Sequence, residues 1–388
     1  MAFLRNRTIN LLNLHSGGQA LAQGMGGLFV LVFLLRAGVS VPVSLCAMAL
    51  IFAGRFVIRP AVLVFAKRWG LKPTAILGNL VIALQYPMLA EVHDVGLPLL
   101  AYCLVSALGD TFYWSSYHAY FASLGDNEHR GHQIGAREAL AAVVGIVAPL
   151  IGAWCLIVLG PRITFAAVGA VQALATVPLL GTPNVAVQRA APGAYRAAFA
   201  GIGLFIADGW FAVMYVFVWK IALYLSLGKS LSAYGGAMAL AAFVGAASGM
   251  LLGRTIDAGH GRRAVFIAYG VAASTLLLCS ASFGTPWLAI AANAIGAIAG
   301  CLQVPAMMTA VYNLAKSSPC TMRFHMAAEG GWDIGGGSGC LVAAGLAALG
   351  LPLAAVLSLG LLGLGASVVM LNRQYARSGA AIGAVPTA

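Results

Sequence analysis

Long apolar stretches separated by short polar ones determine what this chain can fold into. Twelve can be recognised, and each exceeds the roughly 20 residues that a helix needs to cross a bilayer. They lie near residues 9–35, 42–66, 73–93, 97–124, 131–159, 161–181, 197–226, 231–253, 262–283, 286–313, 323–349 and 351–373. Only helices and closed barrels satisfy the backbone in lipid, and stretches of this length favour helices. The pattern therefore predicts an all-α polytopic membrane protein with twelve transmembrane helices.

The composition supports that class and excludes others. Hydrophobic residues make up 61% of the chain and charged ones 8%, and the mean hydropathy is +0.92. The formal net charge of +12 does not indicate nucleic acid, because the basic residues lie between apolar stretches and form no stripe or tail. The seven cysteines form no C-x-x-C pair, so we expect no disulfide framework, no metal site and no cofactor.

The distribution of lysine and arginine predicts the orientation in the membrane. With the N-terminus inside, sixteen of the 22 basic residues fall on the inner side and two within the membrane. The outer four are Arg36, Arg162, Lys220 and Lys229. This bias predicts a multi-pass protein of the bacterial inner membrane with both termini in the cytoplasm. Arg5 and Arg7 precede the first stretch without a convincing cleavage site after it, so we expect that stretch to be retained.

Two short echoes indicate an internal repeat. The basic loop Lys67–Pro73 follows the second stretch, as Gly253–Arg263 follows the eighth. Arg130-Gly-His132 is echoed 193 residues later by Arg323-Phe-His325. Six stretches lie on each side of a polar break. The repeat therefore predicts two six-helix halves, residues 1–181 and 197–388, joined by a cytoplasmic linker at 182–196.

The loop from Gly253 to Arg263 reads Gly-Arg-Thr-Ile-Asp-Ala-Gly-His-Gly-Arg-Arg and resembles the cytoplasmic loop signature of the major facilitator superfamily (MFS). It has the Gly, the Asp four residues later and the final Gly-Arg-Arg, but three residues rather than two follow Asp257 before the next Gly. In the first half, Arg68 and Gly70 match the signature, whereas Lys67 stands where the family has Asp.

The resemblance implies twelve helices in two pseudo-symmetric halves that alternately open a midplane cavity to either side. It also implies that helices one, four, seven and ten line this cavity. The segment 148–153, Ala-Pro-Leu-Ile-Gly-Ala, is similar to the Gly-Pro-x-x-Gly-Gly of proton antiporters in the family, with two glycines replaced by alanine. The resemblance to drug antiporters is correspondingly weaker.

Charged and aromatic side chains at membrane depth form the candidate substrate site, because a charge in hydrocarbon must be paired or hydrated. Arg55 and Arg59 lie one helical turn apart in the second stretch, and Asp110 lies mid-way along the fourth. One helical stripe holds Asp110, Trp114, Tyr117 and Phe121. The predicted substrate-binding residues are Arg55, Arg59, Asp110, Tyr113, Trp114, Tyr117, His118, Trp210 and Gln303. Rings beside a buried arginine suit a planar or anionic organic substrate, and they equally suit a structural Arg–Asp pair under an aromatic packing face.

Three further residues are candidates for proton coupling. Asp208 lies about eleven residues into the seventh stretch with no basic residue near it in sequence, so its carboxyl could take up and release a proton during transport. His15 occupies the corresponding place in the first stretch, although a lone membrane histidine also suits simple packing. Glu138 lies nearer a membrane surface, where a gating role is an equal alternative.

Charged residues near the cytoplasmic helix ends are candidates for a gate. They are Asp257, Arg262, Arg263, Lys67, Arg68, Glu329 and Asp333. By resemblance, the loop aspartate docks at the start of a helix in the opposite half, which Asp257 can do. Lys67 in the equivalent place reverses the polarity, so we expect Lys67 or Arg68 to pair with Glu329 or Asp333 when the cytoplasmic side closes.

These features together predict a secondary transporter that moves a small organic solute by alternating access, energised by protons. We expect a monomer in the lipid bilayer and, in the absence of any recognised hydrolase or nucleotide-binding motif, no enzyme activity. Two alternatives stay open. Met322 and Met326 have a spacing that could bind a soft metal, which would suit a copper or metal-chelate transporter. A non-transporting membrane receptor could share the same fold.

Overall fold

Twelve long helical segments make up nearly the whole chain in a computed structural model, which describes residues 6–124, 130–256 and 261–383. In chain order they are α1 (Arg7–Arg36), α2 (Val41–Trp69), α3 (Leu71–Ala90), α4 (Leu97–Leu124), α5 (Arg130–Val158), α6 (Gly160–Leu180), α7 (Phe199–Ser226), α8 (Leu231–Ile256), α9 (Gly261–Ala281), α10 (Pro286–Lys316), α11 (Thr321–Ala348) and α12 (Leu353–Ser358 continued by Gly360–Gly383). These ranges contain no strand. The prediction of an all-α fold built from twelve helices is confirmed.

Eleven of the described helices are long and apolar enough to cross a membrane. The remaining one, α11, has the required length but carries Arg323, Glu329 and Asp333 along it. Such charges are tolerated in a spanning helix only where they face protein or water. The partners of α11 are therefore central to the architecture.

Helix ends follow local sequence signals. Asn6 caps α1, because its side-chain oxygen accepts a hydrogen bond from the backbone N–H of Ile9 at 3.2 Å. Gly70 separates α2 from α3 with φ +89°, a conformation that residues with a β-carbon rarely adopt. Its carbonyl accepts a 2.7 Å hydrogen bond from the Thr74 hydroxyl. The chain thus reverses between two long helices within one residue.

The packing pattern of α1–α6 is repeated by α7–α12. In the first set α1 packs on α5, α2 on α4, and α3 on both α4 and α6. In the second set α7 packs on α11, α8 on α10, and α9 on both α10 and α12. Between the sets α2 packs on α11 and α8 packs on α5, which are again equivalent pairs. The helices therefore form two pseudo-symmetric halves of six.

Glycines allow α11 to lie tightly between α7 of its own half and α2 of the other. A β-carbon at Gly331 or Gly335 would collide with a backbone carbonyl of α7. Gly336 faces α2, and a β-carbon there would lie 3.0 Å from the ring of Phe52. Small residues commonly permit such close approach between membrane helices. This packing brings the charges of α11 against α2.

The polar segment between α6 and α7 is held by both halves. The Lys72 ammonium, at the start of α3, donates to the Thr182 carbonyl at 2.7 Å. From the other half, Nη2 of Arg323 donates to the carbonyls of Gln188 and Arg189, both at 3.0 Å. Arg323, in the first turn of α11, therefore binds the connecting segment in addition to placing a positive charge near the membrane surface.

Candidate functional site

Two arginines of α2 meet two carboxylates of α11 across the boundary between the halves. Arg59 donates through Nη1 to Glu329 at 2.6 Å, and through Nε at 3.1 Å and Nη2 to the same oxygen of Asp333. One turn earlier, Arg55 Nε lies 2.9 Å from the other Asp333 oxygen. The Asp333 side chain is fully enclosed, and the two arginine side chains are 11% and 6% exposed. We call these residues, with Asp110, the ion cluster.

Helix α4 adds a third carboxylate and a hydroxyl to the ion cluster. Asp110 lies 3.7 Å from Arg55 Nη1, so the predicted pairing of Asp110 with an arginine of the second helix is present. The Ser115 hydroxyl accepts from Arg59 at 2.9 Å and lies in hydrogen-bonding distance of Glu329, at 3.1 Å. Three helices from both halves thus converge on one set of charges.

The charge balance of the ion cluster is uneven. Two guanidinium groups face three carboxylates, which leaves one negative charge in excess when all are ionised. Buried ion pairs persist only with good geometry and added hydrogen bonds, and arginine suits this role because its planar fork binds carboxylates at two nitrogens. A proton can offset this excess, including one on His118, whose imidazole interacts electrostatically with Glu329.

Trp332 on α11 joins the ion cluster to Asp208. The centroid of its ring lies 5.4 Å from the guanidinium carbon of Arg55. The centroid of the neighbouring Phe52 ring lies 5.6 Å from the same carbon. The Trp332 indole N–H donates to Asp208 at 3.2 Å. Sequence reasoning missed Trp332, although its position one residue before Asp333 was a usable signal.

Asp208 on α7 is bound by neutral donors. One oxygen accepts from Gln303 of α10 and the other from Trp332 of α11, both at 3.2 Å. Within the described residues no basic group lies within 4.0 Å of this carboxylate. Protonation would remove the negative charge that both N–H groups bind, so taking up a proton must weaken these two hydrogen bonds. Asp208 is therefore placed to link a proton to the positions of α10 and α11.

The aromatic residues of α4 divide between two faces. Tyr113 and Tyr117 are buried and stack on each other with ring centroids 5.2 Å apart. Trp114 and His118 stack at 5.5 Å and are more accessible, His118 being exposed. The predicted stripe through Asp110, Trp114 and Tyr117 is therefore split, because Tyr117 faces α1. The more accessible Trp114 and His118 stay candidate substrate contacts.

His15 on α1 is enclosed in the first half. Its Nδ1 donates to the carbonyl of Ala175 at 2.6 Å, and its Nε2 lies 2.8 Å from the Tyr113 hydroxyl. Both ring nitrogens thus have partners when the ring is neutral, and the side chain is fully buried. This geometry fits the packing alternative for His15 better than proton coupling.

Trp210 and Arg262 both donate hydrogen bonds to α12 and not to the ion cluster. The Trp210 indole donates to the Leu359 carbonyl of α12 at 2.9 Å. Arg262 donates to the Asn372 side chain of α12 at 2.7 Å, and Arg263 is exposed. Asp257 lies outside the described residues, and Glu138 outside the described side chains.

The predicted pairing of Lys67 or Arg68 with Glu329 or Asp333 differs from the pairing that the structure contains. Arg59 and Arg55 occupy both carboxylates. Arg59 precedes Lys67 by eight residues, about 12 Å along α2. Lys67 is exposed, and the Arg68 guanidinium lies 5.0 Å from the Trp69 ring centroid. The positive partner thus lies deeper in the membrane than the loop signature indicated.

The side chains that the structure describes include no group of three or more His, Cys, Asp or Glu residues arranged to hold a metal ion. Met322 and Met326 are both buried in the packing of α11.

Comparison with known proteins agrees with this architecture. The family model of the Major Facilitator Superfamily matches residues 16–318. The chain belongs to this superfamily. A comparison with the sequences of curated proteins finds no significant match.

Solved MFS structures share the fold at low sequence identity. A nucleoside transporter, NupG, has a TM-score of 0.67 at 14% identity, with 95% of this chain and 98% of that chain covered. A POT family transporter in complex with a thioalcohol-conjugated peptide has a TM-score of 0.70 at 11% identity, covering 94% and 95%. A POT family structure in complex with 5-aminolevulinic acid has a TM-score of 0.70 at 10% identity, with the same coverage. At such identities the similarity shows the fold alone.

Proposed function

We propose that the protein is a proton-coupled secondary transporter of a small organic solute. Its halves would be residues 1–181 and 197–388, which rock about the central ion cluster while the segment 182–196 connects them. The observation that carries this proposal is the ion cluster itself, because it joins α2 and α4 of one half to α11 of the other. A change between open states must loosen contacts of this kind.

Proton coupling follows from the chemistry around the cluster. Its three carboxylates exceed its two guanidiniums, and Asp208 has only neutral donors. A proton arriving at Asp208 would weaken its hydrogen bonds from Gln303 and Trp332, and Trp332 also lies against Arg55. Proton uptake and movement of α11 are therefore linked by direct contacts. The side chains around Asp208 and the ion cluster are polar and aromatic, which suits a small organic solute.

The proposal is tested with purified full-length protein in liposomes containing a pH-sensitive dye. A thermal-shift screen of nucleosides, short peptides and organic acids supplies candidate solutes. A ligand that binds is expected to change the internal pH when added outside, and to accumulate when a pH gradient is imposed. Accumulation without proton movement would contradict proton coupling. A ligand that binds but is never taken up would support a receptor, and uptake confined to metal chelates would support the metal alternative.

We expect both termini to be cytoplasmic in a bacterial inner membrane. Lys67, in the last turn of α2, and Lys229, between α7 and α8, are exposed and lie at opposite ends of the helices. In a background without the native cysteines, Lys229→Cys should react with an impermeant maleimide on intact cells. Lys67→Cys should react only after permeabilisation. The opposite labelling pattern would reverse the orientation.

A further inference from the structure

Lys220 is a half-buried cation that the ion cluster does not use. The charge distribution of the sequence assigns it to the outer polar ends, but the structure places it within α7, six residues before that helix ends. Its ammonium lies 3.3 Å from the Met238 sulfur of α8 and 3.3 Å from the side-chain oxygen of Asn293 of α10. The ring of Tyr215 lies 5.9 Å away. The side chain of Lys220 thus extends from α7 to contact α8 and α10 of the same half.

The protein partners of Lys220 do not balance its charge. A thioether is a weak acceptor, and the Asn293 oxygen also accepts from the Trp219 indole at 3.1 Å. In the part of the chain that the structure describes, no carboxylate lies within 4.0 Å of the ammonium. An ammonium has three N–H groups, so at least one lacks a protein acceptor among these contacts. Arg55 and Arg59, by contrast, are matched by carboxylates.

A π-helical segment turns Lys220 toward the same neighbour as Asp208. Residues Val213–Val218 of α7 form this segment between the two charged residues. Twelve residues of regular α-helix would place them about 120° apart, and one residue absorbed by a π-bulge reduces this to about 20°. Both in fact contact α10, Asp208 through Gln303 and Lys220 through Asn293. The π-segment therefore aligns Asp208 and Lys220 on one face of α7, and neither has an oppositely charged group within 4.0 Å in the described part of the chain.

We propose that Lys220 binds the negative charge of the transported solute, and that this solute is an organic monocarboxylate. This assignment rests on the proposed transport function. A charged residue within a membrane helix calls for an oppositely charged partner, and Lys220 has no carboxylate within 4.0 Å among the described residues, its neighbours being a thioether, an amide and the thiol of Cys279. One cation matches a single negative charge better than a phosphate or a dicarboxylate. The half-buried Tyr215 beside the ammonium suits an aromatic or apolar body.

The assignment also revises where an anionic solute would bind. The sequence pointed to Arg55 and Arg59 as its partners, but the charges of both guanidiniums are already paired with Asp110, Glu329 and Asp333. Binding at Lys220 requires no ion pair of the protein to break. The two charged residues of α7 would then have separate roles: Lys220 would bind the solute, and Asp208 would take up the proton.

The test measures benzoate binding to the purified full-length protein by isothermal titration and thermal shift, with inorganic phosphate for comparison. Wild type should bind benzoate and not phosphate. Lys220→Met should weaken benzoate binding at least tenfold, whereas Lys229→Met, which removes an exposed lysine after the same helix, should leave it unchanged. Lys220→Arg should retain part of the affinity. Because the substitution removes an uncompensated charge, Lys220→Met should fold with an unchanged or higher thermal midpoint when no anion is present.

Each other outcome would overturn the assignment. Equal benzoate binding by wild type and Lys220→Met would show that the anion binds elsewhere. Phosphate binding as strong as benzoate binding, or no response of wild type to benzoate, lactate and acetate, would exclude a monocarboxylate site. A lowered midpoint of anion-free Lys220→Met would show that the lysine is balanced within the protein. The binding assay uses no gradient, so its result is independent of the uptake assay. Failure of benzoate binding with proton-driven uptake of another solute would contradict only the assignment of Lys220. Binding without uptake would contradict only the proposed transport function.

Discussion

Replacement of Arg59 by methionine is expected to lower the free energy of unfolding by about 3–5 kcal/mol and to abolish transport. Arg59 contacts Glu329, Asp333 and Ser115 at once, and its side chain is 6% exposed. Its loss leaves two enclosed carboxylates with Arg55 as the remaining cation. Most of the expected effect is the unfavourable burial of unpaired charge rather than the loss of the pair itself. The thermal midpoint of purified protein and uptake by liposomes are the measurements.

A surface ion pair of the same chemistry supplies the control. Arg162 donates to Glu91 at 3.1 Å, but these side chains are 71% and 53% exposed. Arg162→Met should therefore change stability by at most about 1 kcal/mol and leave transport intact. If Arg59→Met and Arg162→Met had similar small effects, the ion cluster would not be the central contact between the halves.

A second variant separates stability from function. In Arg59→Met combined with Asp333→Asn, one orphaned charge is removed together with its partner. Part of the thermal midpoint should return, because the remaining polar group is neutral. Transport should stay absent, because α2 and α11 can no longer form and break the ion pair between Arg59 and Asp333. Recovery of transport in the double variant would contradict a role of these charges in the conformational cycle.

The helices could be predicted from the sequence, because a membrane-spanning helix appears in the sequence as a continuous apolar stretch. All twelve predicted stretches are helices, including α11, whose charges make it the least apolar. The pairing of Asp110 with Arg55 could also be anticipated, because two charges of opposite sign lie at matching depth in helices of one half.

The contacts between the halves could not be predicted in the same way. Arg59 and Asp333 are 274 residues apart, and nothing local in the sequence sets the rotation of α11 that brings them together. That rotation depends on glycines at positions 331, 335 and 336, which decide how closely α7 and α2 approach. The face of Lys220 likewise depends on a π-segment, which a regular helical period cannot anticipate. The loop signature led the prediction toward Lys67 because it describes loops and says nothing of the membrane interior.

Asp208→Asn is expected to reduce uptake driven by a pH gradient at least tenfold while the protein stays folded. Asparagine keeps one acceptor for Gln303 or Trp332, so the packing of α7 against α10 and α11 is largely preserved. It cannot exchange a proton, and the link between pH and the helix contacts is lost. Exposed Asp94, between α3 and α4, provides the control, since Asp94→Asn should transport normally. Full retention of the pH dependence in Asp208→Asn would remove this carboxylate from the mechanism.

The indole of Trp332 decides whether Asp208 communicates with the ion cluster directly. Trp332→Phe keeps an aromatic face over Arg55 but lacks the N–H that Asp208 accepts, so it should change the pH at which uptake is half-maximal. Trp287→Phe, at an 83% exposed position, should not. In an Asp208→Asn background, Trp332→Phe should add little, because both changes interrupt one link and their effects are then not additive. Additive losses would mean that Trp332 acts independently of Asp208, and that the proton reaches α11 by another contact.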